Sequence, residues 1–280
     1  MNALNRDTGG ADLGGSIELR REDDLLTRHD LYFESKVANT PALLEIAHAL
    51  RYQVYCLERK FENPEQHRDG LESDAFDNRA IHGVLFHRPT DRAIGTVRMI
   101  MPQDCEDDSL PIMALLREND IDLAHHVHIS RAVEISRFAI SKDYRRRQSD
   151  ETTDSQGIVL NRREAIRQGN LACLSLIQFL VRQSVESGVL YWTAVMEPKL
   201  LRMLASMGIR FTSIGSLVMH HGLRQPCYCY VPTMLEEVFR DHPEYWEVLT
   251  DGGALNAQLE EITRDVALPS SATNRFEAAE

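Results

Sequence analysis

The chain has 280 residues, of which 43% are hydrophobic and 26% charged, and its formal net charge is -12. This length suffices for one large or two small domains with a sizeable core. The acidic balance argues against duplex nucleic acid as the main partner, because neutralising phosphates requires a basic face. An anionic partner would have to bind a local basic patch.

The chain shows neither a signal peptide nor a membrane span. Its first 24 residues are polar, and no apolar run approaches the roughly 18 residues that a span needs. The five cysteines are odd in number and scattered, which predicts a reducing, cytoplasmic location. Cys227 and Cys229 are two residues apart, which is not the CxxC spacing, so we expect them to pack in or near the core.

The first half of the chain begins with a polar, glycine-containing stretch, predicted to be a flexible leader over residues 1–28. Residues 31–33 read as a first strand. Thr40 and Pro41 form an N-cap and N1 pair that begins a helix. On that helix Arg51 and Tyr55 lie one turn apart.

A polar loop over residues 62–79 follows the helix and leads into a hairpin, with strands at 81–87 and 93–101. Three carboxylates share the loop: Glu72, Asp74 and Asp77. They repel one another unless they are solvated or face cations. Arg98, inside the second apolar strand, needs a partner that the loop could supply, although a solvated acidic loop is the ordinary reading.

The central stretch reads as a buried strand over residues 133–140 that runs into a basic turn. Glu134 and Arg137 on this strand are costly to bury alone and tolerable if paired or functional. The following run, Arg145 to Arg147, attracts anions. An internal ion pair with a solvated arginine run remains the alternative.

The second half alternates helices and strands. The pattern predicts helices at 161–187 and 198–207 and strands at 190–196, 211–218 and 227–231. Short helices and a polar tail end the chain. We predict a mixed α/β layer fold in one main domain over residues 29–250, with residues 251–280 as a C-terminal helix and tail.

No metal site is predicted. His125, His126 and His128 form a histidine cluster, but no second ligand set with matching spacing accompanies it.

Four motifs, taken together, resemble the acyl-homoserine-lactone (autoinducer) synthases in that family's order: Arg51, Glu72-x-Asp74-x-x-Asp77, Arg98 and Glu134-x-Ser136-Arg137-Phe138. The later stretch from Ile214-Gly215 to Pro226-Cys227 is more similar to the N-acyl amino acid synthases and the PEP-CTERM/exosortase-associated acyltransferases. The resemblance covers roughly residues 30 to 235.

The resemblance implies a GNAT-like fold, in which a mixed, mostly antiparallel sheet is flanked by helices and its central strands splay. It implies an N-acyltransferase that moves a fatty acyl group from a thioester to the amine of an amino acid or similar small molecule. Such aminolysis needs no covalent nucleophile and no bound cofactor; it needs a neutral amine, a held carbonyl and donors for the oxyanion.

The acyl donor is expected to be an acyl carrier protein, with coenzyme A as the alternative. GNAT enzymes usually follow the central strand with a glycine-rich turn that cradles the coenzyme A pyrophosphate, and residues 144–150 contain no glycine. Acyl carrier proteins are acidic, so the basic run would attract one.

The predicted site falls into three groups. The catalytic positions are Glu134, Arg137 and Phe138. The substrate-binding positions are Arg51, Glu72, Asp74, Asp77, Arg98 and His221. The positions that contact the acyl carrier are Ala139, Ile140, Tyr144, Arg145, Arg146 and Arg147.

Glu134 is the candidate general base, directly or through water, and a structural partnership with Arg98 or Arg137 is the alternative. For the loop carboxylates, an ion-pair scaffold competes with a direct substrate role. At the level of the whole protein, the alternatives are a non-catalytic acyl-carrier or acyl-lipid binding protein and an N-acetyltransferase that uses acyl-CoA.

Overall fold

The computed structural model describes residues 24–103, 109–144, 162–220 and 222–264, with backbone only for 162–168. In the first part the elements are α1 Leu25–Tyr32, β1 Phe33–Val37, α2 Pro41–Arg51, a π-helix Tyr52–Glu58, β2 Ala80–His87, β3 Arg92–Ile100 and α3 Pro111–Arg117. After these come β4 Ala132–Ile140, α4 Arg162–Ser187, β5 Tyr191–Met196, α5 Pro198–Ala205, β6 Thr212–Ser213, β7 Val218–Met219 and β8 Leu223–Tyr230. The last described elements are α6 Val231–Asp241, α7 Pro243–Thr250 and α8 Ala254–Arg264.

The prediction for residues 31–33 is wrong: α1 continues to Tyr32, and the first strand begins only at Phe33. Asp24 caps α1 through its side chain, which accepts from the Thr27 N–H. The helix cap at Asp24, nine residues before Phe33, lies in the polar stretch that was predicted to be a flexible leader. The start of α2 agrees with the prediction, since the Thr40 hydroxyl accepts from the Leu43 N–H at 3.3 Å.

The strands form one mixed sheet in the order β1-β2-β3-β4-β5-β8-β6, with β7 paired only to β8. All pairings are antiparallel except that of β4 with β5. The prediction of a mostly antiparallel, GNAT-like sheet between helices is confirmed. The predicted strand at 211–218 is wrong in extent, because the chain there forms two two-residue strands separated by a turn.

Helices cover the two faces of the sheet. Val84 on β2 packs against Ala47 of α2 on one face. Leu85, on the opposite face of β2, belongs to the main core with α4, in which Leu174 and Phe179 are buried. None of the described helices is long and apolar enough to cross a membrane.

Two irregularities set which side chains face α2. In the β2–β3 hairpin, the register shifts by one residue between Leu85 and Phe86, which places His82 opposite Arg98. In the β3–β4 pair, Arg137 and Phe138 together oppose Val97, and Arg137 has a left-handed φ of 51°. A β-bulge of this kind redirects a side chain. The left-handed conformation is energetically unfavourable for a non-glycine residue such as Arg137.

The parallel pairing of β4 with β5 is short. It joins Ala132–Glu134 to Tyr191–Thr193 and extends no further along either strand. Both strands continue beyond it, so they diverge from Glu134 onward and leave a V-shaped opening in the centre of the sheet.

A substitution at Gly83 on β2 tests how closely the sheet packs against α4. A Cβ built at this position would lie 2.6 to 2.9 Å from three ring carbons of Phe179. We expect Gly83→Ala to lower the free energy of unfolding by about 1–3 kcal/mol, because the ring must move in a close-packed core. Urea denaturation measures it.

Gly169→Ala is the matched control, because a Cβ there meets no heavy atom within 4 Å and the residue lies inside α4. Inside a helix, alanine is more favourable than glycine by about 1 kcal/mol, so this variant should be at least as stable as the wild type. Equal losses for the two variants would contradict the packing argument.

Candidate active site

One large cavity, of about 1310 Å³, passes through the opening between β4 and β5. On the α2 side its walls include Tyr55, Arg98 and Ile112, and on the α4 side Asn170 and Cys173. A cavity that crosses the sheet can receive one molecule from each face, and the strand that divides them carries the predicted catalytic residues.

Arg51 is fully buried at the end of α2 and is neutralised there by two carboxylates. Its Nε donates to Glu72 Oε2 at 2.6 Å, and its Nη1 donates to Asp77 Oδ1 at 2.8 Å. Arg98, from β3, shares the second of these, because its Nη1 donates to Asp77 Oδ1 at 2.5 Å and to Asp74 Oδ1 at 2.6 Å. Its Nε donates to the Ser136 hydroxyl oxygen at 2.9 Å.

Arg137, from the bulge of β4, joins the same network. Its Nη2 donates to Glu72 Oε1 at 2.9 Å, to Glu62 Oε1 at 3.1 Å and to Asp74 Oδ2 at 3.3 Å. The left-handed backbone at Arg137 is therefore what turns a strand side chain towards the loop. In all, three guanidiniums face four carboxylates: Arg51, Arg98 and Arg137 with Glu62, Glu72, Asp74 and Asp77.

This pairing fixes the charge states. Burial would raise the pKa of Glu72, but hydrogen bonds from Arg51 and Arg137 outweigh it and hold the pKa at about 2. The pKa of Asp77 is likewise lowered, against burial, by its bonds to Arg51 and the Asp74 N–H. Burial opposes the charge of Arg137, yet Glu72 raises its pKa. All three groups stay ionised at neutral pH.

Two histidines that were not predicted as site residues lie next to this network, behind the cavity wall. His48 Nε2 and His82 Nε2 each lie 3.7 Å from an oxygen of Asp77. Burial lowers the pKa of His82 to about 4, and Asp77 only partly offsets this. Both rings are neutral at physiological pH and fill space against Asp77 without adding charge.

Among the described residues, His48, Asp77 and His82 form a group that could hold a metal ion, because their donor atoms lie within 4.8 Å of one another. Asp77 Oδ1 already accepts from Arg51 and Arg98. Two guanidinium charges at this oxygen repel a further cation, so the electrostatics here do not favour a metal ion.

Glu134 lies at the vertex of the opening and lines the cavity. Its side chain is 7% exposed, and its Oε2 accepts from the Ile112 N–H at 2.6 Å. Neither Arg98 nor Arg137 bonds to it, since both are committed to the loop carboxylates. Burial raises the pKa of Glu134 to about 7, although the Ile112 N–H and the nearby arginines act against this.

Arg224, a further cation in the lining of the cavity, links two segments of its wall. Arg224 of β8 lies with its guanidinium carbon 4.9 Å from the ring centre of Phe61, and its Nη1 is 3.0 Å from Glu197 Oε1. This contact joins the segment after the π-helix to the end of β5. None of these three residues was predicted as a site residue from the sequence.

The structure brings most of the predicted site residues together. Those that line the cavity are Glu72, Asp74, Arg98, Glu134, Arg137, Phe138, Ala139 and Ile140. Arg51 and Asp77 lie behind its wall, bonded to the lining residues. Tyr144 lies elsewhere, with its ring centre 6.4 Å from that of Phe33 and 5.4 Å from that of His87. His221 and Arg145 to Arg147 fall outside the described residues.

The charge network yields a stability prediction at Asp77. We expect Asp77→Asn to lower the free energy of unfolding by about 3 kcal/mol, because it removes one of the two carboxylates that neutralise each of the buried guanidiniums Arg51 and Arg98. Urea denaturation at pH 7 measures the loss.

Glu34→Gln is the control, since the ion pairs of Glu34 with other described residues, at 3.3 Å to Lys36 and 3.4 Å to Arg88, lie at the surface. It should cost less than about 1 kcal/mol. A loss at Asp77 no larger than at Glu34 would mean that the network does not hold the fold.

Residues 50–153 match the model of the acetyltransferase (GNAT) domain. No curated protein matches the chain.

Several solved structures share the fold. TofI, solved in a ternary complex with an inhibitor and MTA, is 15% identical with a TM-score of 0.50, covering 76% of this chain and 99% of that one. BjaI, a CoA-dependent acyl-homoserine lactone synthase solved with SAM and isopentyl-CoA, is 16% identical with a TM-score of 0.50, covering 80% and 89%. FeeM, an N-acyl amino acid synthase from uncultured soil microbes, is 16% identical with a TM-score of 0.48, covering 74% and 96%.

The matched domain is an acetyltransferase domain. The part of this chain that matches it, residues 50–153, includes Arg51, the acidic loop, Arg98 and β4. The prediction of an acyltransferase enzyme on a GNAT-like fold is confirmed.

Proposed function

We propose that the protein transfers a fatty acyl group from the thioester of an acyl carrier protein to the amine of an amino acid or similar small molecule. The observation that carries this is the environment of Glu134. It is a carboxylate in the cavity, at the point where the central strands part, and no cation among the described residues forms a hydrogen bond or ion pair with it. A carboxylate with a pKa near the working pH is suited to take a proton from an attacking amine.

The two faces of the cavity support a division of substrates. The opening between β4 and β5 is lined by apolar residues such as Ala139, Val195 and Met196, which suit an acyl thioester. On the α2 side, Arg98, Asp74 and Arg137 present a fixed polar wall to the acceptor. Because these charges compensate one another, they can orient a small polar molecule without reorganising as it binds.

An amino acid as the acceptor is supported by sequence alone. The similarity of residues 214–227 to the N-acyl amino acid synthases and the PEP-CTERM/exosortase-associated group favours it over the lactone chemistry of the autoinducer synthases.

The choice of an acyl carrier protein over coenzyme A rests on two supports. The turn after β4 lacks the glycines that cradle a pyrophosphate. In addition, Arg59 and Lys199 line the cavity, Lys60 follows Arg59, and Arg202 lies three residues after Lys199 on α5. All four are exposed, and no ion pair or side-chain hydrogen bond engages them within the part of the chain that the structure describes. Unpaired cations in a chain of net charge -12 favour an acidic protein partner.

Glu134→Gln tests the reaction. The amide can still accept from the Ile112 N–H, so the fold should persist, but it cannot take a proton. We expect acyl transfer to fall by roughly 10²–10⁴-fold. In the wild type, kcat/KM should rise with pH through about 7, because the raised pKa of Glu134 means that the base is lost below it, and the variant should lack this limb.

The first readout is mass spectrometry of lipid extracts from cells that express either form. New N-acylated amino acids should be present with the wild type only. A wild-type protein that acylates none of a supplied panel of amino acids, with either donor, would contradict the proposal. Unchanged turnover in the variant would remove Glu134 as the base.

The donor is tested by reversing charges at the cavity mouth. We expect Lys199→Glu with Arg202→Glu to weaken turnover with acyl carrier protein more than turnover with acyl-CoA, because only the protein donor presents an extended acidic surface. The same comparison applies to Arg145→Glu with Arg146→Glu. The control is Arg92→Glu, at an exposed position at the start of β3, and it should leave turnover with both donors unchanged. Equal losses with both donors would contradict the carrier-protein assignment.

A further inference from the structure

The gap between β4 and β5 is spanned by side chains that come from its two sides. On the β4 side, the Phe61 N–H donates to the Tyr55 carbonyl at 2.8 Å, and the Tyr55 hydroxyl donates to the Phe138 carbonyl of β4 at 3.4 Å. On the β5 side, Glu197 directly follows the strand, and Arg224 lies on the adjacent strand β8. The contacts of Arg224 with Phe61 and Glu197 therefore form a bridge between the two sides.

The bridge lies on the same face of the sheet as Glu134. Glu134 pairs with Thr193, and Thr193 pairs with Tyr228. Directly paired residues have their side chains on one face, and so do residues two or four apart along a strand. Arg224 is four residues before Tyr228 on β8, so its side chain is on the face of Glu134. Both residues line the cavity, and the bridge thus belongs to the half that contains the proposed base.

Several contacts hold the guanidinium of Arg224 in place. Its carbon is 4.9 Å from the ring centre of Phe61, its Nη1 is 3.0 Å from Glu197 Oε1, and its Nε donates to the His220 carbonyl at 3.2 Å. The carboxylate of Glu197 compensates the charge of a side chain that is only 13% exposed. A cation–π contact contributes about 0.5–2 kcal/mol, so the bridge can separate when a substrate enters and form again afterwards.

A carboxylate base beside a thioester can activate water as well as an amine. In that side reaction water adds to the thioester carbon, and the C–S bond breaks with its electron pair on the sulfur. The proton that Glu134 takes from the water ends on the sulfur, and the products are a free fatty acid and a thiol. An N-acyltransferase with such a base must therefore keep solvent water away from the bound thioester.

We propose that the bridge determines the choice between amine and water as the nucleophile; this role rests on the proposed acyl transfer. Phe61 and Arg224 close the gap to solvent while the acyl thioester is bound, the ring as an apolar cover and the guanidinium as its link to the β5 side. Neither residue transfers a proton. They set the specificity of the reaction through the water that they exclude, and Glu134 acts on the amine that remains.

The ratio of free fatty acid to N-acyl amino acid tests this role, because a general loss of activity lowers both products alike. The donor is a fatty acyl thioester of acyl carrier protein, and the acceptor is an amino acid that the wild type acylates. Phe61→Ala should raise the ratio roughly tenfold, which is about 1.4 kcal/mol between the two barriers. Arg224→Gln should raise it too, whereas Phe61→Tyr keeps the ring and should keep the wild-type ratio. Spontaneous hydrolysis is measured without protein and subtracted.

Phe76→Ala is the matched control. Phe76 also lines the cavity under an arginine, with the guanidinium carbon of Arg79 5.5 Å from its ring centre. Both residues belong to the short 3-10 helix Ala75–Arg79, so their contact does not link β4 to β5. This variant removes the same atoms from the lining but leaves the bridge intact, and the ratio of the two products should stay at the wild-type value.

The outcomes separate the bridge from the reaction itself. An unchanged ratio in both Phe61→Ala and Arg224→Gln would overturn the role of the bridge and leave the acyl transfer in place. An equal rise in Phe76→Ala would also overturn it, because any enlargement of the cavity would then admit water. A wild type that acylates no amino acid of the panel would overturn the proposed function, and the role of the bridge with it.

Discussion

Arg51 is a fully buried cation, and much of the architecture around the cavity serves to compensate its charge. A guanidinium out of water is tolerable only with carboxylates in good geometry. Glu72 and Asp77 provide them, and each of these in turn binds a second arginine, on β3 or β4. The acidic loop, α2 and the strands β3 and β4 are thereby tied at one place, which becomes a rigid wall of the cavity.

The division of charges follows from this constraint. Because the loop carboxylates take up Arg98 and Arg137, neither arginine bonds to Glu134, although Arg137 lies on the same strand and Arg98 on the neighbouring one. Its pKa rises while that of Glu72 falls, so two glutamates in one cavity acquire different tasks. One is a permanent anion that holds structure, and the other can exchange a proton near neutral pH.

Local departures from regular structure place the side chains around the cavity. The bulge at Arg137 turns a strand residue towards the loop, the early separation of β4 from β5 opens the sheet, and the π-helix directs Tyr55 to Phe138. Each costs hydrogen bonds or backbone strain, and all three border the same cavity. Such costs concentrate where a fold is shaped for function.

The sequence by itself determined the mixed α/β class, the hairpin, the central strand and most of the charged residues of the site, because apolar periodicity and helix caps are local signals. It also indicated that Arg98 and the acidic loop needed each other. It did not reveal that Arg98 and Arg137 would bond to the loop carboxylates and not to Glu134, since that depends on which acids the arginines reach in space. Nor did it reveal His82, which faces Asp77 only because a one-residue shift in the hairpin places it opposite Arg98. Register, bulges and wide turns are decided by packing between distant segments, and so only the tertiary structure could place these side chains.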